Sequence, residues 1–350
     1  MAVFKSFRAY RPAQRNQSLI PALPYDVMSS EEAREMVKGN SLSFLHVDRA
    51  EIDFPVGADK YSREIYEKAK ENLLALENTG AMIQDEAPCF YIYRQIMNGR
   101  AQVGLVGCAS IDDYMNNIIK KHEKTLAKKE KDRINHVNIT DANTGPIFLT
   151  YRKNTAINMT VSLWMNEKEP VYNFEADDVL QTVWVVDDTE IINRLSSLFK
   201  DVENLYIADG HHRCASAVKV GQMRREENPN YTGNEEFNYF LAVAFPDNEL
   251  EIMDYNRVVK DLNGMSSDEF LSRVFENFEI KKENEPYHPT ERHTFGMYLD
   301  KEWYSLKAKK SVINENDPVA RLDVSILQES LLEPILGIQD PKNDSRIDFV

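Results

Sequence analysis

The segment Leu205-Tyr-Ile-Ala-Asp-Gly-His-His-Arg-Cys-Ala-Ser-Ala217 carries the clearest structural pattern in the chain. Its first residues are apolar or aromatic, which predicts a buried strand over Leu205–Ala208. Gly210 permits a sharp turn, and the residues that follow favour a helix from about His212 to Gly221. The segment therefore predicts a strand, a short polar loop and a helix, an arrangement at which α/β proteins commonly bind ligands.

Patterns on both sides of this segment predict further strands and helices. Asn98-Gly99 is a hairpin signal between two of the strands. The Leu205–Ala208 strand and a strand at Phe240–Phe245 flank one helix, which predicts a right-handed crossover. Runs rich in β-branched and aromatic residues predict strands at Cys89–Arg94, Ala101–Val106, Pro146–Tyr151, Met159–Trp164, Thr182–Val186 and Phe237–Phe245. Apolar spacing or charged composition predicts helices at 60–80, 111–136, 190–200, 266–276 and 322–336.

The length of the chain indicates more than one domain. With 350 residues it exceeds what one hydrophobic core usually serves. We predict a mixed α/β (α+β) fold with an N-terminal α/β region at 1–100, a core at 101–246 and a C-terminal α/β region at 247–350. The last residues, Arg346–Val350, alternate between polar and apolar, which predicts a strand.

Charge and cysteine content narrow the functional class. The net charge is −15, so the surface repels phosphate backbones and anionic membranes, and we expect neither a nucleic-acid nor a membrane partner. The chain has three cysteines without metal-type spacing, which indicates reduced thiols and a cytoplasmic location. The first residues lack an apolar signal core, and no run approaches the length of a membrane span.

The loop Asp209-Gly-His-His-Arg213 is the strongest candidate site. A helix N-terminus preceded by glycine binds anions through its free amides. Arg213 is able to clamp a phosphate with two hydrogen bonds, and His211 and His212 add donors. Asp209 would hold a metal ion or a hydroxyl, or orient one of the histidines. The competing interpretation is a tight turn with polar surface residues. However, five consecutive residues of the kinds found in functional sites, at the end of a strand, favour a phosphate site.

A permanent metal site is a weaker interpretation of the same loop. Adjacent histidines diverge, and no His-x-x-x-His or Cys-x-x-Cys pattern supports them, so we predict no resident metal. A magnesium ion that arrives with a nucleotide is more consistent with the pattern. Cys214 directly follows Arg213 and leaves a reductase open as a third alternative, although a cysteine at this point of a helix is more often a packing residue.

Two further segments have candidate functional residues. Lys120–Arg133 is the most basic stretch of the chain, and most of it is expected to be a solvated helix face. Glu123 lies where this stretch starts, and a carboxylate beside a phosphate loop is able to act as a general base. Pro21-Ala-Leu-Pro-Tyr-Asp26 is extended and rigid, so Tyr25 and Asp26 either line a pocket or form a structural turn.

Over nearly its whole length the chain resembles the domain-of-unknown-function family 1015 of bacteria and archaea, some members of which are labelled ParB-like. The resemblance rests on Pro24–Val27, His122–Thr125, Asp132-Arg133, Pro146–Phe148, Ile207–Arg213 and Leu322–Leu327. Two of these pieces, His122-Glu123 and Asp209–Arg213, also resemble the free-serine kinases of the ParB/sulfiredoxin-like superfamily. Those enzymes transfer phosphate from a nucleotide, ADP in the archaeal case, to the hydroxyl of free L-serine.

The resemblance implies roles for individual residues and a ParB/sulfiredoxin-like core of mixed sheet and helices. It assigns catalysis to Glu123, the base, together with His122. Substrate would be a small hydroxyl compound such as serine, and the cofactor ADP or ATP with Mg²⁺. Nucleotide binding is assigned to Asp209, Gly210, His211, His212, Arg213, Lys124 and Thr125.

The chain also departs from the kinases. The segment between the two motifs is longer, and residues 1–100 have no obvious counterpart. The family continues into a segment with a Pro-Lys motif that has a counterpart in the kinase, so we expect this chain to be a shortened form with one wall of the active site missing. The favoured prediction is a small-molecule kinase. The alternative is a nucleotide-binding regulatory protein of ParB-like type without turnover.

Overall fold

The structure is a computed structural model that describes residues 1–123, 127–341 and 343–350. The chain divides into two compact units, residues 1–251 and 252–350. Both units combine strands with helices, which confirms the predicted mixed α/β class. Within the described residues, no helix is both long and apolar enough to cross a membrane.

Strands occur throughout both units. They are β1 (Phe4–Lys5), β2 (Tyr10–Pro12), β3 (Met82–Gln84), β4 (Phe90–Met97), β5 (Arg100–Ser110), β6 (Ile119–Lys120), β7 (Ile147–Tyr151), β8 (Tyr172–Ala176), β9 (Val179–Val186), β10 (Leu205–Asp209), β11 (Tyr239–Pro246), β12 (Arg257–Val259), β13 (Phe278–Glu283), β14 (Thr294–Leu299), β15 (Glu302–Ala308) and β16 (Ile347–Phe349).

Helices also occur in both units. They are α1 (Ser30–Met36), α2 (Leu45–Asp48), α3 (Arg63–Asn78), α4 (Ile111–Met115), α5 (Ala127–Thr140), α6 (Thr155–Glu167), α7 (Thr189–Phe199), α8 (His211–Glu227), α9 (Ser267–Asn277) and α10 (Asp323–Leu327).

A mixed sheet forms the centre of the first unit. Its strands follow the order β6-β10-β7-β11-β5-β4-β9-β8. β1 pairs with Cys108 and Ala109 of β5, past the residues of β5 that pair with β4. The β10–β6 and β11–β7 pairs are parallel, whereas the other pairs are antiparallel. The β4–β5 hairpin turns at Asn98 and Gly99, whose positive φ angles of 51° and 77° fit the predicted hairpin signal.

The predicted right-handed crossover is wrong. β10 is antiparallel to β7, and β7 is parallel to β11, so β10 and β11 run in opposite directions with β7 between them. Asp209 at the end of β10 and Val243 of β11 both pair with Phe148, and Gly221 of α8 lies against the carbonyl oxygen of Phe237 just before β11, so β11 starts at the end of the sheet where β10 finishes. A strand–helix–strand order in sequence therefore does not require parallel strands.

Aromatic and aliphatic side chains from the sheet and its helices form the core of the first unit. Phe90, Phe199 and Phe240 are fully buried in it, and Cys214 and Val218 bring one face of α8 into the same cluster. Burial of each large apolar side chain contributes roughly 2 kcal/mol relative to exposure. This packing fixes β10 and α8, and it therefore holds the loop between them in place.

Three predicted elements differ from the structure. Met159–Trp164 lies inside helix α6 rather than in a strand, because Asn154 caps the helix and Ile157, Val161 and Trp164 recur on one buried face. The predicted helix at 111–136 is divided into α4, β6 and α5. The predicted helix at 322–336 is helical over α10 and then continues as a π-helical turn at Gln328–Leu332.

The second unit contains two small sheets with their own core. β13, β15 and β14 form an antiparallel sheet in that order, and β12 pairs antiparallel with β16. The β16 strand confirms the strand predicted near Arg346–Val350. Phe270 and Val274 from α9 pack against Phe278 and Leu306 of the three-stranded sheet.

Candidate functional site

The candidate site starts at the turn between β10 and α8. The register of β10 against β7 shifts between Ile207 and Asp209, and Gly210 then takes a left-handed conformation with φ at +91°. A Cβ atom on Gly210 would lie 3.2 Å from Nε of Arg213, so glycine suits both the backbone angle and the close approach. Helix α8 begins at His211, and its first amides are the free donors that a helix N-terminus offers to an anion.

Arg213 lies across this turn and holds it to the neighbouring strand. Its Nη1 donates to the carbonyl oxygen of Pro146 at 2.7 Å, and its Nη2 pairs with Oδ2 of Asp209 at 2.5 Å. The Arg213 side chain is 14% exposed, whereas that of Asp209 is 64% exposed. Nε of Arg213 is buried and has no hydrogen-bond partner in the described part of the chain. The guanidinium is therefore fixed in place with donor capacity left over.

His122 and Glu123 meet the loop at His211. Oε2 of Glu123 lies 3.5 Å from Nδ1 of His211, and the rings of His122 and His211 meet edge to face at 4.3 Å. The backbone N–H of His122 donates to Nε2 of His211 at 3.5 Å. Nε2 therefore acts as the acceptor, and we assign the proton of the neutral ring to Nδ1, which faces Glu123.

The electrostatics of this group support that assignment. Burial lowers the pKa of His211 below its ordinary value, and the neighbouring His122 lowers it further, against the opposing effect of Glu123. The Glu123 side chain is 53% exposed, so it is open to a substrate. The structure thus brings together a neutral histidine, an accessible carboxylate and the amide end of α8.

Most of the predicted site residues come together at this loop. Asp209, Gly210, His211 and Arg213 form the turn, and His212 occupies the second position of α8, where it is half-buried. Lys124 and Thr125, which we assigned to nucleotide binding, lie outside the described residues. The carboxylate of Asp209 pairs with Arg213 in the structure, a contact that was not among the roles predicted for it.

A second group of residues adjoins the loop, and sequence reasoning gave most of them no role. The guanidinium of Arg133 lies 4.1 Å from the ring centre of Tyr25 and pairs with Asp132 at 2.9 Å. Burial alone would lower the pKa of Arg133, but Asp132, Tyr25 and Asp48 together raise it above its ordinary value. Asp132 also accepts a hydrogen bond from the hydroxyl of Tyr66 at 2.7 Å.

The segment 144–146 connects this second group to Arg213. Oγ1 of Thr144 donates to Oδ1 of Asp48 at 2.6 Å, and Pro146 accepts from Arg213. Burial raises the pKa of Tyr25, while the charges of Arg133 and Arg213 oppose that rise, so both guanidiniums act on one phenol. Tyr25 is in contact with Arg133, and the charge of Arg213 also acts on its phenol.

Neither a metal cluster nor a reactive thiol accompanies these residues in the described part of the chain. No group of three or more His, Cys, Asp and Glu side chains there is arranged to hold a metal ion. Cys214 is fully buried, and burial raises the pKa of its thiol. A nucleophilic cysteine needs access and a low pKa, so the reductase alternative has no support at Cys214.

A protein family whose description reads "Protein of unknown function (DUF1015)" matches residues 4–325. The chain belongs to this family. No curated protein and no solved structure matches the chain. We therefore infer a function from the arrangement of residues at the β10–α8 loop.

Proposed function

We propose that this protein is a small-molecule kinase that transfers a phosphoryl group from a nucleotide to a hydroxyl acceptor. The observation that carries the proposal is the position of Glu123, whose accessible carboxylate is held by His211 at the first turn of α8. An anion site alone requires only the loop and Arg213. An exposed carboxylate within reach of that anion site adds the base that phosphoryl transfer to a hydroxyl needs.

Each residue has a defined part in this reaction. The amides that begin α8, together with Arg213, hold the terminal phosphate of ADP or ATP. Glu123 takes the proton from the acceptor hydroxyl as the acceptor oxygen bonds to phosphorus, and the bond from phosphorus to the leaving nucleotide oxygen breaks. His211 remains neutral and orients Glu123 through its Nδ1–H. Positioning and charge stabilisation supply most of the rate enhancement in such reactions.

Asp209 adjusts the charge of the site as ligand binds. In the structure it neutralises Arg213 at 2.5 Å. An incoming phosphate competes for that guanidinium, and the displaced carboxylate then faces solvent, where Mg²⁺ bound to the nucleotide would compensate its charge. The resemblance to free-serine kinases and to a ParB/sulfiredoxin-like core favours L-serine as the acceptor.

Measurement of product formation with and without Glu123 tests the proposal. The wild-type protein is incubated with ADP or ATP, Mg²⁺ and a panel of hydroxyl compounds that includes L-serine, and phosphorylated product is measured by mass spectrometry. We expect Glu123→Gln to reduce turnover about 100-fold while nucleotide affinity stays the same. Glu167→Gln serves as the control, because it removes an exposed carboxylate at the end of another helix, α6, and should leave turnover unchanged.

Two outcomes count against the kinase. Equal turnover in Glu123→Gln and wild type removes Glu123 from the mechanism. Nucleotide binding by the wild type without phosphorylation of any compound in the panel leaves the alternative of a ParB-like regulatory protein that binds nucleotide without turnover.

A further inference from the structure

We infer that the ring of Tyr25 is the surface on which the nucleobase of the bound nucleotide stacks. The inference rests on the proposed function, in which the nucleotide phosphates bind at Asp209–Arg213. It adds a second contact to that ligand and assigns a role to the Pro21–Asp26 segment, which the phosphate site leaves unused.

The Tyr25 ring has a rigid support on one side. Arg133 stacks against it at 4.1 Å from the ring centre, and Arg133 itself is 8% exposed and paired with Asp132. Tyr66 fixes Asp132 through its hydroxyl. Tyr25 itself stays half-exposed, and bases commonly stack on such aromatic and arginine surfaces.

The backbone at Tyr25 is also held in place. Nη1 of Arg49 donates to the carbonyl oxygen of Tyr25 at 2.8 Å, and Nη2 of Arg49 donates to Oγ of Ser30 at 2.9 Å. A ring that is ordered before the ligand arrives loses little conformational entropy on binding. The segment is therefore prepared for a ligand although its neighbours Pro24 and Asp26 are exposed.

The contacts of the Tyr25 side chain are made by its ring. Its hydroxyl has no hydrogen-bond partner among the residues that the structure describes, whereas Arg133 lies over the ring. The fold connects Tyr25 to the phosphate loop, because Arg213 donates to Pro146, Thr144 donates to Asp48, and the adjacent Arg49 donates to the carbonyl oxygen of Tyr25. A nucleotide with its phosphates on Arg213 would consequently have an aromatic surface close by.

The chemistry of the surface defines the ligand class. A stacked aromatic ring recognises the face of a base and not its hydrogen-bonding edge, so the site accepts several nucleotides and favours purines, which have the larger face. Inorganic pyrophosphate has the phosphates without the base. It should therefore bind at the loop without any contribution from Tyr25.

Calorimetry with matched ligands and variants tests this inference. Wild type, Tyr25→Leu and Tyr25→Phe are titrated with ADP and with inorganic pyrophosphate. We expect Tyr25→Leu to weaken ADP binding roughly tenfold, as loss of one stacking partner does, and to leave pyrophosphate binding unchanged. Tyr25→Phe retains the ring, so it should bind ADP as the wild type does. Equal ADP affinity in Tyr25→Leu and wild type would overturn the inference.

Failure of the inference is separable from failure of the proposed function. If the wild type binds ADP and the affinity depends on Arg213 but not on Tyr25, the stacking surface is wrong and the phosphate site stands. If the wild type binds neither ADP nor pyrophosphate, both are wrong. Should Tyr25→Leu fail to fold, Tyr25→Trp retains a ring, and its added fluorescence should be quenched by ADP and not by pyrophosphate. Equal quenching by both, or by neither, contradicts the stacking.

Discussion

Two arginine–carboxylate pairs in the first unit differ in how completely they are satisfied. Arg11 donates to Asp85 through Nε and Nη2 and to the hydroxyl of Tyr172 through Nη1, and Tyr91 donates a further hydrogen bond to Asp85. Both side chains are mostly buried, with 21% and 12% exposure. Among the described residues, the Arg213–Asp209 pair has a single contact, an exposed carboxylate and a buried Nε without a partner.

We interpret the first pair as structural and propose the second as part of a binding site. All three guanidinium nitrogens of Arg11 have a partner, and the network ties β2 to the segment after β3. Arg213 is held through Pro146, yet its Nε has no partner among the described residues and its partner carboxylate is exposed. Incomplete satisfaction next to a helix N-terminus supports the proposed site, whereas the presence of an ion pair alone does not.

The largest expected effect follows from loss of the structural pair. Asp85→Ala leaves the buried Arg11 guanidinium and the Tyr91 hydroxyl without their acceptor, so we expect the free energy of unfolding to fall by about 3 kcal/mol. Urea denaturation measures the change. Asp112→Ala is the matched control, because Asp112 is half-exposed in its pair with Arg225 and should cost less. A change below that of the control would make the structural assignment wrong.

A second expected effect concerns acid sensitivity at His136, close to Arg133. Burial lowers the pKa of His136 below its ordinary value of 6.5, and the nearby Arg133 lowers it further. The unfolded chain therefore takes up a proton near pH 6.5 that the folded chain does not. This contribution to stability is present above pH 6.5 and is lost as the pH falls, by about 1 kcal/mol per pH unit.

Denaturation curves between pH 7.5 and about pH 5 check the acid effect. His136→Gln retains a donor for the carbonyl oxygen of Val47, which His136 contacts at 3.0 Å, and lacks the titrating group. The variant should show a shallower dependence of stability on pH than the wild type. Identical slopes would mean that folding does not lower the pKa of His136.

The smallest expected effect comes from Asp209. Its side chain is 64% exposed, and exposed ion pairs contribute little because solvent screens them. Asp209→Asn should therefore change the free energy of unfolding by less than about 0.5 kcal/mol. A loss as large as that of Asp85→Ala would show that the two pairs have the same structural role and would remove the contrast between them.

The sequence was sufficient to find the loop but not its surroundings. Asp209–Arg213 could be predicted because the strand, the glycine and the helix start are contiguous. Thr144 and Asp48 come close to Arg133 only through the tertiary fold, so their separate positions gave no signal, and Asp132-Arg133 was singled out only by the family resemblance. Met159–Trp164 was misassigned because six β-prone residues resemble a strand, whereas the helical period becomes clear only over the longer span from Asn154.

The direction of β11 also could not be predicted from the local sequence pattern. A strand–helix–strand order is the same in sequence whether the second strand is parallel or antiparallel to the first. The position of β7 between β10 and β11 depends on long-range pairing, which residue types do not encode locally. By contrast, the Asn98-Gly99 hairpin was predicted correctly because its geometry is set by the two turn residues.

We expect Arg213 to bind the phosphates of a nucleotide. Calorimetric titration of ADP against wild type and Arg213→Ala measures this contribution. Arg213→Lys is the control, since it retains a charge and loses the fork of donors. We predict that Arg213→Ala weakens ADP binding by about 2 kcal/mol, roughly 30-fold, with a smaller loss in Arg213→Lys. Unchanged ADP affinity in a folded Arg213→Ala protein would contradict the account.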